Sequence, residues 1–137
     1  MSEVPPSGEM RIGAETDIVL SRRAVRDAAT QFGFSPTDVT RIVTAASELA
    51  RNVFKYAGEG VMRWKHLESN GRVGIEVQFV DRGPGIADIT RAMEQGYSTG
   101  GGLGVGLPGA KRLVDELDIQ SEVGSGTTVT LKKWRKA

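Results

Sequence analysis

Three polar side chains recur at helical spacing near the middle of the sequence. Glu48, Asn52 and Lys55 stand at positions i, i+4 and i+7 of a segment with a 3.6-residue hydrophobic period, so they share one helix face, roughly opposite its apolar stripe. A carboxylate can take a proton, a carboxamide oxygen can bind a hard cation, and an ammonium can approach a phosphate. Because any amphipathic helix has a polar face, the triplet alone is more typical of a solvated surface.

A second candidate is the turn after a predicted strand, where Asp81, Gly83 and Gly85 form an Asp-x-Gly-x-Gly pattern. An ionised carboxylate only accepts hydrogen bonds, and glycine lets the backbone come close to another group. The same residue types also cap and shape an ordinary tight turn. Taken alone, the pattern favours the turn over a binding site.

The most unusual stretch runs from Gly96 to Gly109 and holds seven of the 18 glycines within fourteen residues. Such a density is typical of a flexible linker or of a loop that brings bare backbone N–H groups to a ligand. The segment from Leu107 to Leu117 has helical periodicity, with Pro108 in its first turn. A glycine-rich loop that enters a helix N-terminus favours an anion site, because unpaired N–H groups and the positive end of the helix dipole coincide there.

Known phosphate motifs do not account for this loop. Gly104 to Gly109 reads as G-x-G-x-x-G, but no strand precedes it and only a predicted hairpin follows, so a dinucleotide fold is excluded. Ala110 occupies the position where a P-loop requires lysine. Kinase signatures of the H-R-D and D-F-G type are also absent.

Two helices and several strands must position these groups. We predict a short strand from Met10 and a first helix that Thr16 or Asp17 caps and Gly33 ends. Ser35 and Pro36 begin a second helix, which carries Glu48 and ends at Gly58. The further predicted elements are strands Gly60–Glu68 and Gly74–Asp81 around a turn at 69–71, a short helix over 87–95, a helix over 107–117, and a closing hairpin of strands 119–123 and 127–131. This order predicts an α/β two-layer sandwich, a mixed β-sheet covered by helices.

Composition limits the function classes. The chain of 137 residues fits one domain at 9–137 after a flexible start at 1–8, and its net charge of +1 gives no general case for nucleic acid or a membrane surface. It has no cysteine and no long apolar run, which is consistent with a cytoplasmic protein. His66 is the one histidine, within a predicted strand, so we expect a packed or strand-face histidine rather than a metal ligand.

Four motifs in fixed order identify a family resemblance. They are the Glu48-x-x-x-Asn52 pair, the Asp81 turn, the run from Gly102 to Leu107, and Gly124-x-Gly126-Thr127. In this order the sequence resembles the GHKL ATPase superfamily, whose Bergerat fold gyrase, histidine kinases and anti-sigma-factor kinases share. The runs at 47–52, 81–86 and 97–113 are most similar to RsbT-type serine-protein kinases, the switch kinases of stressosomes.

The resemblance implies a role for each candidate residue. Asn52 would coordinate Mg²⁺, and Asp81 would accept a hydrogen bond from the adenine amino group of ATP, with Thr127 assisting. Gly83 and Gly85 would let the chain pass close to the adenine. Glu48 would act as general base, and Lys55 is a candidate cation near the phosphates, although a surface role suits it equally. The residues implied to wrap the phosphates are Gly101, Gly102, Leu103, Gly104, Val105, Gly106 and Leu107.

The same resemblance implies partners. A serine or threonine on a STAS-domain antagonist or scaffold protein would receive the phosphate, and the released kinase would activate a PPM-type phosphatase. A histidine-kinase function is disfavoured, because His66 has no helical dimerisation segment around it. An anti-sigma factor that sequesters a sigma subunit is the alternative function, and a GHKL remnant without nucleotide binding is disfavoured because all four motifs keep their functional residues.

Overall fold

The computed structural model describes residues 6–84 and 106–136, which form five strands and three helices. The elements in order are β1 (Ser7–Ile12), α1 (Thr16–Gln31), α2 (Pro36–Ala57), β2 (Gly60–Ser69), β3 (Arg72–Asp81), α3 (Gly106–Leu113), β4 (Glu116–Glu122) and β5 (Gly126–Trp134). The helix predicted over 87–95 and most of the glycine-rich stretch lie outside the described residues.

The five strands form one sheet in the order β1-β2-β3-β5-β4. The predicted α/β sandwich class is confirmed, but all four pairings in the described part of the chain are antiparallel, where we expected a mixed sheet. Helices α1 and α2 lie between β1 and β2 along the chain, and β2 pairs antiparallel with β1. Strands β3 and β4 run the same way, but β5 lies between them and pairs with both.

The helices cover one face of the sheet, and the hydrophobic core lies between these two layers. On the sheet side, Met62, Ile75, Val77, Phe79 and Leu131 are almost fully buried. Helix α2 supplies the largest share of the helical layer and packs against both α1 and α3, with its buried apolar residues at Val39, Ile42, Val43, Ala45, Ala46, Leu49, Ala50 and Val53. Its central position fixes where its polar side chains lie relative to the sheet ends.

Local sequence signals explain the ends of α2 and the β2–β3 hairpin. The Ser35 side chain accepts a hydrogen bond from the Asp38 backbone N–H at 3.2 Å, and Gly58 ends the helix at φ +81°, both as predicted. Asn70 and Gly71 have φ values of +52° and +77°, which a two-residue hairpin turn requires. The hairpin therefore brings the end of β3 back to the start of β2, where Asp81 pairs with Gly60.

Several predicted boundaries were wrong. Strand β1 begins at Ser7 rather than Met10, because Ser7 and Gly8 pair with Lys65 and Trp64 of β2. Neither Thr16 nor Asp17 caps α1 at its N-terminus; the carboxylate of Asp17 instead accepts hydrogen bonds from the backbone of the preceding turn, at 2.9 and 3.0 Å.

The predicted end of α3 was also wrong. This helix stops at Leu113 instead of Leu117, because Glu116 and Leu117 pair with Lys132 and Leu131 in the sheet. Strand β5 correspondingly extends to Trp134.

The remaining expectations concern His66 and the membrane. The His66 imidazole is half-buried on β2 and packs edge-on against Phe32, with ring centroids 4.9 Å apart, as expected of a packed histidine. None of the helices among the described residues is long and apolar enough to cross a membrane.

Candidate functional site

The carboxylate of Glu48 joins α2 to the first residue of α3. Glu48 is 8% exposed, its Oε2 accepts a hydrogen bond from the Gly106 backbone N–H at 3.3 Å, and its Oε1 lies 3.4 Å from Nη1 of Arg51. The prediction that this face of α2 is roughly opposite the core was therefore wrong for Glu48, because α3 covers it. A carboxylate held at a helix N-terminus by a backbone N–H is also favourably placed in the helix dipole.

The two other candidate site residues of α2, Asn52 and Lys55, are more exposed than Glu48. Asn52 is half-buried, and its carboxamide has no hydrogen bond to any described residue, so its oxygen is available to a ligand. Lys55 is exposed, and its ammonium lies 5.3 Å from the centre of the Tyr56 ring rather than toward Glu48. The ligand roles of Asn52 and Lys55 stay predictions.

The carboxylate of Asp81 organises the end of β3. Its Oδ1 accepts hydrogen bonds from two backbone N–H groups, that of Gly83 at 2.9 Å and that of Thr127 at 3.3 Å. Its Oδ2 makes no hydrogen bond within the described parts of the chain. One oxygen thus fixes the turn and the start of β5, and the other remains an acceptor for a ligand donor.

Close backbone packing holds this turn against α2. A Cβ on Gly83 would lie 2.7 Å from the Cβ of Ala57, the last residue of α2. A Cβ on Gly60 would lie 2.7 Å from a methyl group of Val53 and 3.3 Å from the Cβ of Asp81. Glycines at these two positions let the end of β3 approach the helix turn that follows Asn52, so two separate sequence motifs meet in space.

Thr127 and Ser121 extend the same arrangement across the sheet. Thr127 pairs with Asp81 on one side and with Ser121 on the other. Thr127 is 9% exposed, and its Oγ1 lies 2.8 Å from the Oγ of Ser121. Ser121 is a further residue of this arrangement that no local pattern in the sequence marks, because its closeness to Thr127 depends on the register of β4 against β5.

A cleft of about 380 Å³ opens at this end of the sheet, with Asp81, Ser121 and Thr127 among its lining residues. A further cleft of about 420 Å³ on the sheet face that no described helix covers is lined by Glu76, Glu116, Asp118, Thr130 and Lys132. The second cleft holds none of the predicted site residues, so the first is the relevant one although it is slightly smaller.

Two of the predicted phosphate-binding residues, Gly106 and Leu107, lie at the start of α3. Gly106 has a φ of +67°, which directs its N–H toward Glu48. The Leu107 side chain is 8% exposed and belongs to the hydrophobic core, so only its backbone can face a ligand. The other predicted residues, Gly85, Gly101, Gly102, Leu103, Gly104 and Val105, lie outside the described residues, and their assignment stays a prediction.

Metal binding must be judged from the donor set. No group of three or more His, Asp or Glu side chains able to hold a metal occurs in residues 6–84 and 106–136. Mg²⁺ in nucleotide sites typically takes one or two protein oxygens, with water and phosphate oxygens completing its coordination. The free carboxamide of Asn52, one helical turn from Glu48, fits that pattern of binding.

Comparisons with known proteins identify the family of the chain. Residues 37–137 match the family model described as histidine kinase-, DNA gyrase B-, and HSP90-like ATPase. The serine/threonine-protein kinase RsbT of Bacillus subtilis (strain 168) is 47% identical over 125 residues, covering 91% of this chain and 94% of that protein. An anti-sigma F factor of Thermoanaerobacter sp. (strain X514) is 31% identical over 120 residues, covering 83% of this chain and 82% of that protein.

A solved structure supports the fold. The crystal structure of the RsbU and RsbW domains of a Mycobacterium tuberculosis protein matches with a TM-score of 0.62 and 24% sequence identity. The match covers 95% of this chain and 34% of that larger chain. At this identity the similarity concerns the arrangement of helices and strands and carries no argument about partners.

Proposed function

Because the chain belongs to the family of histidine kinase-, DNA gyrase B- and HSP90-like ATPases, we propose that it is an ATP-dependent serine/threonine-protein kinase. The observation that carries this proposal is the meeting of three sequence-distant motifs at one end of the fold. Glu48 bonds to the first residue of α3, and the Asp81 turn packs on the last residue of α2. The similarity to a serine/threonine-protein kinase across most of both chains favours phosphotransfer over ATP binding alone.

In this proposal the adenine lies at the end of the sheet. The free Oδ2 of Asp81 accepts a hydrogen bond from the adenine amino group, and the Thr127 hydroxyl assists. The N-terminal end of α3 lies toward the phosphates, where backbone N–H groups and the helix dipole favour negative charge. Lys55 would need to swing away from Tyr56 to reach a phosphate.

Asn52 and Glu48 are proposed to act at the phosphate end. Asn52 would hold Mg²⁺ through its side-chain oxygen, and the bound ion would neutralise charge on the phosphate oxygens. Glu48 would take the proton of the attacking hydroxyl as general base. Its Oε2 accepts the N–H of Gly106 and its Oε1 lies near the Arg51 guanidinium, so the attacking hydroxyl would share one of these two oxygens.

The proposed phosphoacceptor is a serine or threonine on a STAS-domain antagonist or scaffold protein in the cytoplasm. Transfer to such a protein, followed by activation of a PPM-type phosphatase, would make the chain a partner-switching component of a stressosome-type stress pathway. The neighbour of known structure carries RsbU and RsbW domains on one chain. These partners are part of the proposal and follow from the resemblance to RsbT-type kinases.

Incubation with Mg-ATP and each STAS-domain protein encoded nearby, followed by mass spectrometry, tests this function. We expect a single phosphorylated serine or threonine on one of these proteins, formed only when both ATP and Mg²⁺ are present. A chain that binds ATP but modifies none of them, under conditions where the same proteins accept phosphate from a known kinase, would contradict the proposal.

An anti-sigma factor is the second candidate, because anti-sigma F factors are among the similar proteins. Size-exclusion chromatography with purified sigma subunits separates the two functions. The kinase proposal predicts no stable sigma complex in the presence of ATP. A stoichiometric complex without phosphotransfer to any STAS-domain protein would favour the anti-sigma function instead.

A further inference from the structure

Three polar side chains lie in one row across three strands at the adenine end of the site. Asp81 of β3 is paired with Thr127 of β5, and Thr127 is paired with Ser121 of β4. Paired residues on adjacent antiparallel strands project from the same face of a sheet. Ser121 is therefore a direct neighbour of Thr127 on the side away from Asp81.

The hydrogen bonds of Ser121 determine where the Thr127 proton points. The Ser121 hydroxyl donates to the carbonyl oxygen of Gly126 at 3.2 Å, and a carbonyl can only accept. A serine hydroxyl has one proton, so when Ser121 donates to the Gly126 carbonyl, the 2.8 Å contact between the Ser121 and Thr127 oxygens uses the proton of Thr127. With its proton directed to Ser121, the Thr127 oxygen offers a ligand only lone pairs.

Like Thr127, Asp81 offers a ligand a hydrogen-bond acceptor. Its Oδ1 already accepts two backbone N–H groups, and its Oδ2 is an acceptor without a described donor. The row therefore presents two acceptors, one from Asp81 and one from Thr127. A 6-amino purine has two N–H donors at position 6, whereas a 6-oxo purine has a carbonyl acceptor there, which two protein acceptors repel.

We propose that Ser121 is a specificity-determining positioning residue, which orients the Thr127 hydroxyl as an acceptor and so favours 6-amino over 6-oxo purine nucleotides. This inference rests on the proposed function, since it assigns a role to a further residue of the same nucleotide site. Ser121 need not touch the nucleotide. It acts through the proton of Thr127.

The test compares the dissociation constants of ATP and inosine triphosphate for the wild-type chain and for Ser121→Ala. Inosine triphosphate is the matched probe, because it carries the 6-oxo group without the 2-amino group of guanine. Removing the Ser121 oxygen lets the Thr127 proton turn toward the purine. We expect the preference for ATP over inosine triphosphate to fall about fivefold, the equivalent of one ordinary hydrogen bond.

Two further variants show whether the effect passes through Thr127. Ser121→Thr keeps a hydroxyl at the same place and should restore the wild-type preference. In a Thr127→Val background, Ser121→Ala should change the preference by less than twofold, because the group that it orients is already absent. Thr130→Val is the matched control, because its hydroxyl bonds to Gln78 on the opposite face of the sheet and should leave the preference unchanged.

The outcomes separate this inference from the proposed function. A wild-type chain that binds neither nucleotide would overturn both. A wild-type chain that prefers ATP, with the same preference in Ser121→Ala, would overturn the role of Ser121 alone. If Ser121→Ala changes the preference equally with and without Thr127, the inference is again wrong. Thermal unfolding followed by circular dichroism identifies any variant that fails to fold, and Ser121→Thr then decides, since loss of the preference despite its hydroxyl would contradict the proposal.

Discussion

At the scale of single residues, the two oxygens of the Asp81 carboxylate have different tasks. Oδ1 holds the Gly83 and Thr127 backbone N–H groups, which shapes the turn and the start of β5. In the proposed function, Oδ2 accepts the hydrogen bond of the adenine amino group. A substitution that alters only Oδ2 should therefore separate binding from folding.

We predict that Asp81→Asn greatly weakens ATP binding and leaves the fold intact. The asparagine oxygen can still accept both backbone N–H groups, but an NH₂ donor now replaces the acceptor that the adenine amino group needs. Loss of a charge-assisted hydrogen bond of about 1.5–3 kcal/mol corresponds to about 10- to 100-fold weaker binding, and the opposed donors add to it. Calorimetric titration with Mg-ATP measures the effect. Asp118→Asn, at an exposed β4 carboxylate, is the control, and equal affinities of Asp81→Asn and wild type would refute the assignment.

Glu48→Gln should retain ATP binding and lose phosphotransfer by about 10²-fold or more, the usual range for a general base. Glutamine is a better test than alanine, because its amide oxygen can still accept the Gly106 N–H and keep α3 in place. The rate of γ-phosphate transfer under saturating ATP is the measurement. Transfer at the wild-type rate would show that positioning and charge neutralisation suffice without a base at this position.

Residue types and spacing identified most of the candidate site but not its internal contacts. Glu48, Asn52 and Asp81 were found because each stands in a local motif at a helix face or a strand end. The bond from Gly106 to Glu48 joins residues 58 positions apart, and the place of Ser121 depends on strand register. Neither relation has a local pattern in the sequence, because both arise from how separate elements pack.

At the scale of elements, the β4–β5 hairpin sets the position of Thr127. Gly124 and Gly126 both have positive φ values, +84° and +106°. Among the described residues, no heavy atom beyond the adjoining residues lies within 4 Å of a Cβ built on Gly124, whereas a Cβ on Gly126 would collide with the Asp81 carbonyl oxygen and lie 2.8 Å from the Cα of Arg82. The two glycines therefore have the same backbone need but different steric surroundings.

We predict that Gly126→Ala impairs both stability and ATP binding, while Gly124→Ala impairs stability alone. Alanine at a positive φ costs about 1–2 kcal/mol in either case. At Gly126 the added methyl group also pushes β5 away from Asp81, which displaces the two ligand acceptors. Urea unfolding and ATP titration of both variants test this. Equal ATP affinities of the two variants would show that the close approach of Gly126 to Asp81 does not position the site.

The ends of helices and strands were predictable where a capping residue sets them. They were not predictable where pairing between distant strands sets them. Ser35 and Gly58 mark the ends of α2 through capping chemistry that the sequence displays. The segment 114–117 continues the helical period of α3, yet Leu117 pairs with Leu131 in the sheet instead. Leu117 could pack against the core from either a helix or a strand. The strand forms because β5 is available to pair with this segment.

At the scale of the whole molecule, α2 connects a structural end of the fold to the proposed active end. Near its N-terminus, Asp38 is 2% exposed and lies 3.1 Å from Arg41 and 3.9 Å from the Lys133 ammonium of β5. Near its C-terminus are Glu48 and Asn52. Lys133 and Thr127 are six residues apart on β5, a distance of roughly 20 Å along the strand.

Lys133→Met should destabilise the fold and leave ATP affinity unchanged. Asp38 would keep Arg41 but lose a buried cation, at a cost of about 1–3 kcal/mol. Lys132→Met is the matched control, because Lys132 is the next residue on the opposite sheet face and its partly exposed pair with Glu76 should contribute about 0–1 kcal/mol. Urea unfolding and ATP titration are the measurements. Weaker ATP binding by Lys133→Met would show that the two ends are coupled.

The α/β class was predictable because helical and strand periods alternate along the sequence. The sheet order was not, because β5 inserts between β3 and β4, a long-range choice that no local pattern records. That insertion also places Thr127 between Asp81 and Ser121. The geometry of the site thus depends on the position of β5 between β3 and β4, which no local sequence pattern indicates.

The most direct test of the central claim is a single-turnover balance of γ-phosphate. The chain is mixed with γ-labelled Mg-ATP and the STAS-domain protein that it modifies, and ADP, free phosphate and phosphoprotein are quantified together. We predict that the label appears on a serine or threonine of the second protein in step with ADP, and that Glu48→Gln slows both. Release of the label as free phosphate, or its appearance on His66 of this chain, would contradict a serine/threonine-protein kinase.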